Sequence, residues 1–437
     1  MGRRRIVAAA ALTAATLASL PLLAVASAGS PAKADRRAAG VDDTVHLNEI
    51  QTIGSHNSYH QVPVGKEYDL RHQFLGDADQ ALMYQADPLA MQFQQDKVRE
   101  IELDAWLDAA GGRYATPLLR KLADYPAYDS VMKQPGIKVF HVQDVDYHSS
   151  CLTLVACLQQ VKAWSDAHPT HVPLTILMEL KDDELHVGSL PIVEPEKWTS
   201  AGMDTLDTEI RSVFSPSDLI TPDDIRGAHS SLSDAVTTDG WPTLGESRGK
   251  VMFLMDNAGD KRAAYRAGGH DALQGRVLFT NADPGAADAG FIERNEPTDP
   301  SIPTLVKQGY VIRTRADDPT TTARANSHAL QTAALASGAQ WVSTDYPRPG
   351  MAIGFTSPYF AEIPGGTVAR CNPVNGPVGC VSAELDTNYT PYVPPPTTTV
   401  PPTVPVTTAP TTTSAAGDDT DPAGGATPVP GSANFTG

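Results

Sequence analysis

Eight short, nearly continuous apolar runs punctuate the chain, at residues 50–53, 100–103, 137–140, 174–178, 251–255, 277–280, 310–313 and 341–343. Apolar runs without polar alternation predict strands covered on both faces, as in a parallel sheet. The first run is the least apolar, with Gln51 and Thr52 inside it. Helix-like stretches separate most of the runs, among them 87–99, 152–168 and the Ala-rich 324–337. Strand–helix alternation repeated eight times predicts the α/β class and a TIM-type (β/α)8 barrel. An open doubly wound sheet shares the alternation, and the count of eight favours the barrel.

In such a barrel the reactive groups gather at the carboxyl ends of the strands. Every run here ends in polar residues. The first leads into Gly54-Ser55-His56-Asn57-Ser58-Tyr59-His60, and the second carries Glu102 and then Asp104 and Trp106. The third ends at His141, the fourth in Glu179-Leu180-Lys181, the fifth at Asp256, and the sixth at Asn281 and Asp283. The seventh ends in Arg313 and Arg315, the eighth at Asp345.

Composition alters the picture at both ends of the chain. Arg3-Arg4-Arg5, an Ala/Leu-rich run over 6–25 and Ala26-Ser27-Ala28 predict a cleaved export signal over residues 1–28. A flexible leader is expected over 29–42, the barrel over 43–362 and a Cys-containing extension over 363–390. Residues 391–437, rich in Pro and Thr, hold too little apolar surface to form a core and are expected to be a disordered tail. Removing residues 1–28 takes away three arginines and no acids, so the net charge moves from −18 to −21. That balance excludes nucleic acid as a partner and argues against a general electrostatic grip on anionic membranes. Attraction to an anionic lipid would have to be local, supplied by a bound divalent cation. The four cysteines form two close pairs, Cys151 with Cys157 and Cys371 with Cys380. In a secreted, extracellular chain these read as short-loop disulfides, the alternative being a zinc site, whose CxxC spacing neither pair has. No protein partner is predicted.

Residues two apart in a strand share a face, so Glu102 and Asp104 project together while Leu103 faces away. Converging carboxylates repel unless a cation or proton lies between them, and a hard oxygen-seeking cation suits them. The structural alternative is a pair of solvated or arginine-paired acids. His56 and His141, at two strand ends, suit paired general base and acid work; capping or hydrogen-bonding roles are the alternative, and His60, His72 and His148 are nearby competitors. Asn57 offers an amide oxygen to a cation or, alternatively, shapes a turn. Glu179 ends a buried strand and needs a partner, which Lys181 could be. Lys181 is otherwise a phosphate contact.

Ser-His-Asn-Ser-Tyr at 55–59, Glu-Leu-Asp-Ala-Trp at 102–106, an apolar run ending at His141 and another ending at Glu179 occur in this order. The set resembles the catalytic X region of phosphoinositide-specific phospholipase C, over most of residues 45–350. Asn after the first histidine, with Glu-x-Asp and a later Glu, resembles the calcium-dependent branch. The resemblance implies Ca2+ as cofactor, held by Asn57, Glu102, Asp104 and Glu179, with His56 as general base and His141 as general acid. It implies a phospholipid substrate at a membrane surface, with Lys181, Arg313, Arg315 and Asp345 as headgroup contacts. The expected reaction releases diacylglycerol and a cyclic inositol phosphate. Two departures stand out: Val142-Gln143-Asp144 follows His141 where the animal enzymes have Gly, and Glu179 lies in Glu-Leu-Lys rather than Glu-Asn. The competing readings are a glycerophosphodiester phosphodiesterase or sphingomyelinase-type lyase on the same barrel, and a non-catalytic calcium-binding surface module.

Overall fold

The computed structural model describes residues 40–318 and 320–393. The expected export signal, most of the leader and the tail from residue 394 lie outside the described residues. Among the described residues no helix is long and apolar enough to cross a membrane.

Eight parallel strands form the barrel: β1 (Ile50–Ser55), β2 (Glu100–Trp106), β3 (Leu174–Lys181), β4 (Val251–Met255), β5 (Leu278–Thr280), β6 (Phe291–Glu293), β7 (Val311–Arg315) and β8 (Trp341–Thr344). Each pairs with the next in chain order, and β8 pairs with β1 through Thr52↔Trp341 to Ser55↔Thr344. Between β5 and β6 the contact is a single parallel bridge, Asn281↔Phe291, which completes the ring. The strands are buried on both faces, the condition under which continuous apolar runs are favoured. Their outer faces pack against helices such as Leu154–Ala167 and Ser200–Val213, whose N-termini are capped by the side chains of Thr153 and Thr199.

The count of eight holds, but its membership differs from expectation. Residues 137–140 are not a barrel strand. Lys138–Val139 runs antiparallel to the end of β2, pairing Val139 with Ala105 and Lys138 with Trp106. The Lys138 ammonium is buried, donates to the carbonyls of Gln134 and Gly136 and lies 3.2 Å from Asp108 Oδ2. A lysine with that environment is anchored across the rim and does not belong in a helix-covered ring. The place is taken by β6, three residues long, which no apolar run announced. Two helices are shorter than their stretches: Leu89–Gln94, which starts after Pro88 and ends before Lys97 at φ 63°, and Ala329–Ser337, which starts after Asn326 at φ 51°.

The extension packs on the barrel. Ala369–Cys371 pairs antiparallel with β1, and both expected disulfides, Cys151–Cys157 and Cys371–Cys380, are present. Arg99, fully buried, ties the two parts together. Its Nε donates to Asp386 Oδ2 at 2.7 Å, and its other nitrogens donate to the carbonyls of Phe93, Val98 and Asn388. Burial alone would raise the Asp386 carboxyl, but the Arg99 charge and the hydrogen bonds from Arg99 and Asn388 together outweigh it and hold the group below its usual range. The contribution is therefore present above the ordinary carboxylate pKa and is lost as pH falls through the depressed one. Arg99→Ala strands a buried carboxylate and is expected to destabilise the fold by about 3–5 kcal/mol. A lowered urea midpoint at unchanged slope would report it. Arg99→Lys should recover only part, since one ammonium cannot reach all four acceptors.

Candidate active site

The inner face of β2 carries Glu100, Glu102 and Asp104, all buried. Gly54 stands beside Glu100 in register, and a Cβ there would lie 1.5 Å from Glu100 Oε2. The glycine is what lets this carboxyl into the ring. Higher up, Asp104 pairs in register with Glu179 of β3, and oxygens of Glu102, Asp104 and Glu179 lie within 4.8 Å of one another. Burial pushes the Glu102 carboxyl up to about 7, with Arg313 pulling against it, and pushes Asp104 well above its range. Both Asp104 oxygens are buried without a hydrogen-bond partner. Three converging carboxyls, one of them with both oxygens orphaned, are the donor set a hard divalent cation takes.

Two protein cations already lean on the cluster. Lys181 Nζ lies 2.6 Å from Glu179 Oε2 and 3.3 Å from Asp104 Oδ2. Arg313 bridges Glu102 Oε2 (2.6 Å) and Glu293 Oε1 (2.7 Å) and donates to Asn295. Asn57 reaches the rim in the left-handed region, at φ 43°, a conformation Asn tolerates. Its loop is fastened to β2, because Ser58 N donates to the Glu102 carbonyl and Glu102 N donates to Ser58 Oγ. The Asn57 amide oxygen accepts from the Tyr59 hydroxyl at 2.9 Å, and its nitrogen donates to Tyr84 Oη at 2.6 Å.

Each histidine has its own aspartate. His56 Nδ1 lies 2.7 Å from Asp345 Oδ1, and Nε2, buried with no hydrogen-bond partner, is 3.6 Å from Glu102 Oε1. Burial, reinforced by Arg315 and Arg313, holds His56 well below the usual histidine range, so the ring is neutral, with Nδ1–H on Asp345. His141 Nδ1 lies 2.8 Å from Asp146 Oδ2. Asp146 is a hub that also receives Arg71 Nη1 at 2.5 Å and His60 Nε2 at 2.8 Å. His60 Nδ1 donates to the Tyr84 carbonyl at 2.9 Å. Burial alone would raise Asp146; His60 and Arg71 reverse this and hold it well below its range. Burial also lowers His141, against the pull of Asp146.

The structure brings His56, Asn57, Glu102, Asp104, His141, Glu179 and Lys181 to one rim, while three residues read as headgroup contacts have other partners. Asp345 serves His56, Arg313 lies in a buried ion-pair network with Glu102 and Glu293, and Arg315 sits 3.7 Å from Asp345. Sequence reasoning missed Asp146 and Arg71, and took His60 only as a competitor of the two histidines. Asp144 and Asp146 look alike in the chain, yet Asp144 accepts from the backbone of Leu118 and Val193, whereas an antiparallel bridge between Val142 and Asp146 folds Asp146 back beneath His141. Of the competitors, His72 meets Asp79 and His148 meets Glu67, away from the cluster.

The rim thus gathers two aspartate-held imidazoles beside a nest of carboxylates at the mouth of a β/α barrel. Residues 45–373 match the family described as phosphoinositide phospholipase C, Ca2+-dependent, and the chain belongs to that family of phosphoric diester hydrolases. No match is found among curated proteins. Similar solved structures include a calcium-dependent phosphoinositol-specific phospholipase C from Pseudomonas sp. (18% identity, 76% of this chain and 96% of that one, TM-score 0.46). Another is a Ca2+-dependent phosphatidylinositol-specific phospholipase C from Streptomyces antibioticus (18%, 70% and 96%, 0.43).

Proposed function

We propose that the protein is a secreted enzyme that cleaves phosphatidylinositol-type lipids at a membrane surface to diacylglycerol and a cyclic inositol phosphate, with His56 as general base and His141 as general acid. The observation that carries this reading is the pair of unlike imidazoles: His56 with an unpartnered Nε2 facing the carboxylate cluster, and His141 backed by a charged hub. Export is supported by the signal-like residues 1–28 and by two disulfides.

Held by Asn57, Glu102, Asp104 and Glu179, calcium would supply positive charge that favours ionisation of the inositol 2-hydroxyl and offsets charge on the phosphate. Asp345 fixes the His56 tautomer, leaving the Nε2 lone pair to take the 2-hydroxyl proton as that oxygen bonds to phosphorus. His141 gives a proton to the glycerol oxygen as the phosphorus–oxygen bond to diacylglycerol breaks. Burial keeps His141 a poor base in the free protein; the phosphodiester anion and Asp146 favour its imidazolium once substrate is present. Lys181, beside the cluster, adds positive charge to the phosphorane-like state. In a second pass the roles exchange and water opens the cyclic product.

Phosphorus NMR of the products tests the reading. With phosphatidylinositol and calcium, a cyclic inositol phosphate signal is expected, and a chelator should abolish it. Cleavage of glycerophosphocholine in its place would favour the glycerophosphodiesterase alternative. Calcium binding without turnover of either would favour a non-catalytic module.

A further inference from the structure

Outside the ring, beside β1, lies a cavity of about 520 Å³ that the proposed chemistry does not use. Ile53 on its wall faces away from the barrel interior, because Gly54 next to it in β1 faces Glu100 on the inner side. The cavity opens where, among the described residues, the chain between β8 and Ala369 forms no helix, although a barrel ordinarily sets its last helix there. Irregular chain at 347–350 and 360–367 covers β1 in its place, together with 95–97 and 391–392. Ile53, Phe360, Ile363 and Pro391 give the cavity an apolar side. Two polar groups face this space without a hydrogen-bond partner. One is Asp96, whose side chain is closed to solvent and whose two oxygens are both orphaned; the other is the buried Thr367 hydroxyl.

The charges on this wall do not balance. Arg348 Nε lies 3.3 Å from Asp96 Oδ1 but donates at 2.6 Å to Asp87 Oδ2, and Nη1 donates to the Pro349 carbonyl. Lys97 Nζ donates to the Gly366 carbonyl at 2.7 Å. Two carboxyls therefore share one guanidinium, and Glu362, exposed, adds a third acid. Burial, then Asp87, pushes the Asp96 carboxyl up to about 8 against the pull of Arg348, so the free protein settles the surplus with a proton. An anion would meet Asp96 and find both cations engaged. A hard divalent cation would find one orphaned carboxyl and one hydroxyl in a space largely walled by hydrocarbon, too few oxygens to replace its water. A quaternary ammonium has no N–H for Asp96, and the Tyr392 ring already carries Arg348, 4.5 Å from its centre. A group with positive charge and N–H donors, attached to an apolar body, meets both sides of the cavity. The chain's own continuation cannot supply that group, since residues 394–437 contain no lysine or arginine.

We infer that this cavity is a binding site for a small primary amine with an apolar body, its ammonium on Asp96, its body against Ile53 and Phe360, and Thr367 as a further polar contact. The site lies outside the barrel ring that holds the carboxylate cluster, and the inference does not depend on the phospholipase reading.

Calorimetric titration of the full chain with hexylamine tests this, with calcium in excess to keep the amine off the catalytic carboxylates. Hexylamine is expected to bind, and hexanol, hexanoate and hexyltrimethylammonium should each be weaker by roughly 10–100-fold, the worth of a charge-assisted hydrogen bond withdrawn from solvent. At neutral pH binding should release a proton, read as a dependence of the heat on the buffer's ionisation enthalpy. It should tighten as pH rises through about 8, because the ammonium needs Asp96 ionised. Asp96→Asn should weaken hexylamine by a similar factor and abolish the proton release, while its melting temperature stays level or rises, since an orphaned buried acid is removed. Thr367→Val should weaken binding less and keep the proton release. No binding of hexylamine, equal binding of hexanol or hexyltrimethylammonium, binding undiminished in Asp96→Asn, or binding that calcium abolishes would each overturn the inference.

Discussion

His56→Ala and His141→Ala are each expected to lower kcat by roughly 10²–10⁴-fold while calcium binding, followed by calorimetry, is retained. The two losses should differ in kind. His141 is placed to protonate a departing alkoxide, a service that a phenolic leaving group scarcely needs. An inositol phosphodiester of a nitrophenol should therefore restore much of the activity of His141→Ala and little of that of His56→Ala. Rescue of His56→Ala alone would reverse the two assignments, and rescue of neither would remove the leaving-group role from His141. Asp146→Asn should resemble a weaker His141→Ala, because the amide can still accept from Nδ1 but no longer favours the imidazolium. The double histidine variant should lose less than the product of the single losses, since both rings serve one transition state.

The sequence exposed those parts of this molecule that are written locally. β1, β2, β3, β4, β5, β7 and β8 are runs of apolar residues long enough to register, and their parallel, doubly covered setting is why they lack alternation. Glu102 and Asp104 were legible because a two-residue spacing fixes their common face. Residues 137–140 misled because a buried lysine can be satisfied by nearby carbonyls and Asp108 while its neighbours read as core. β6 was illegible because three residues carry no periodicity, and it meets β5 through one bridge and β7 over only three residue pairs. The histidine partners depend on ring closure. Asp345 meets His56 across 289 residues, and Arg71 meets Asp146 across 75. Such pairings leave no spacing to read. The ion pairs of Arg313 were likewise hidden in the sequence, because they follow from β7's register beside β6 and β8, which aims the side chain inward between Glu102 and Glu293.

Asp104→Asn is expected to weaken calcium binding by about 10³-fold, taking one carboxylate near the ion as worth about 4 kcal/mol at the effective dielectric of such sites. The same change should raise the melting temperature of the calcium-free protein, because Asp104 is buried, its oxygens lack hydrogen-bond partners, and it adds like charge to Glu102 and Glu179. Calcium at 100 times its dissociation constant should stabilise the wild type by about 2.7 kcal/mol, and the variant should show almost none of this at the same concentration. Lys181 makes the sign of the argument testable from the other side. Its ammonium sits between Glu179 and Asp104, neutralising in the free protein the charge that calcium would neutralise when bound. Lys181→Met should therefore tighten calcium binding and destabilise the calcium-free protein, opposite to Asp104→Asn on both counts. If both substitutions move calcium affinity in the same direction, lysine and calcium do not share these carboxylates, and the cation must be held elsewhere on the rim.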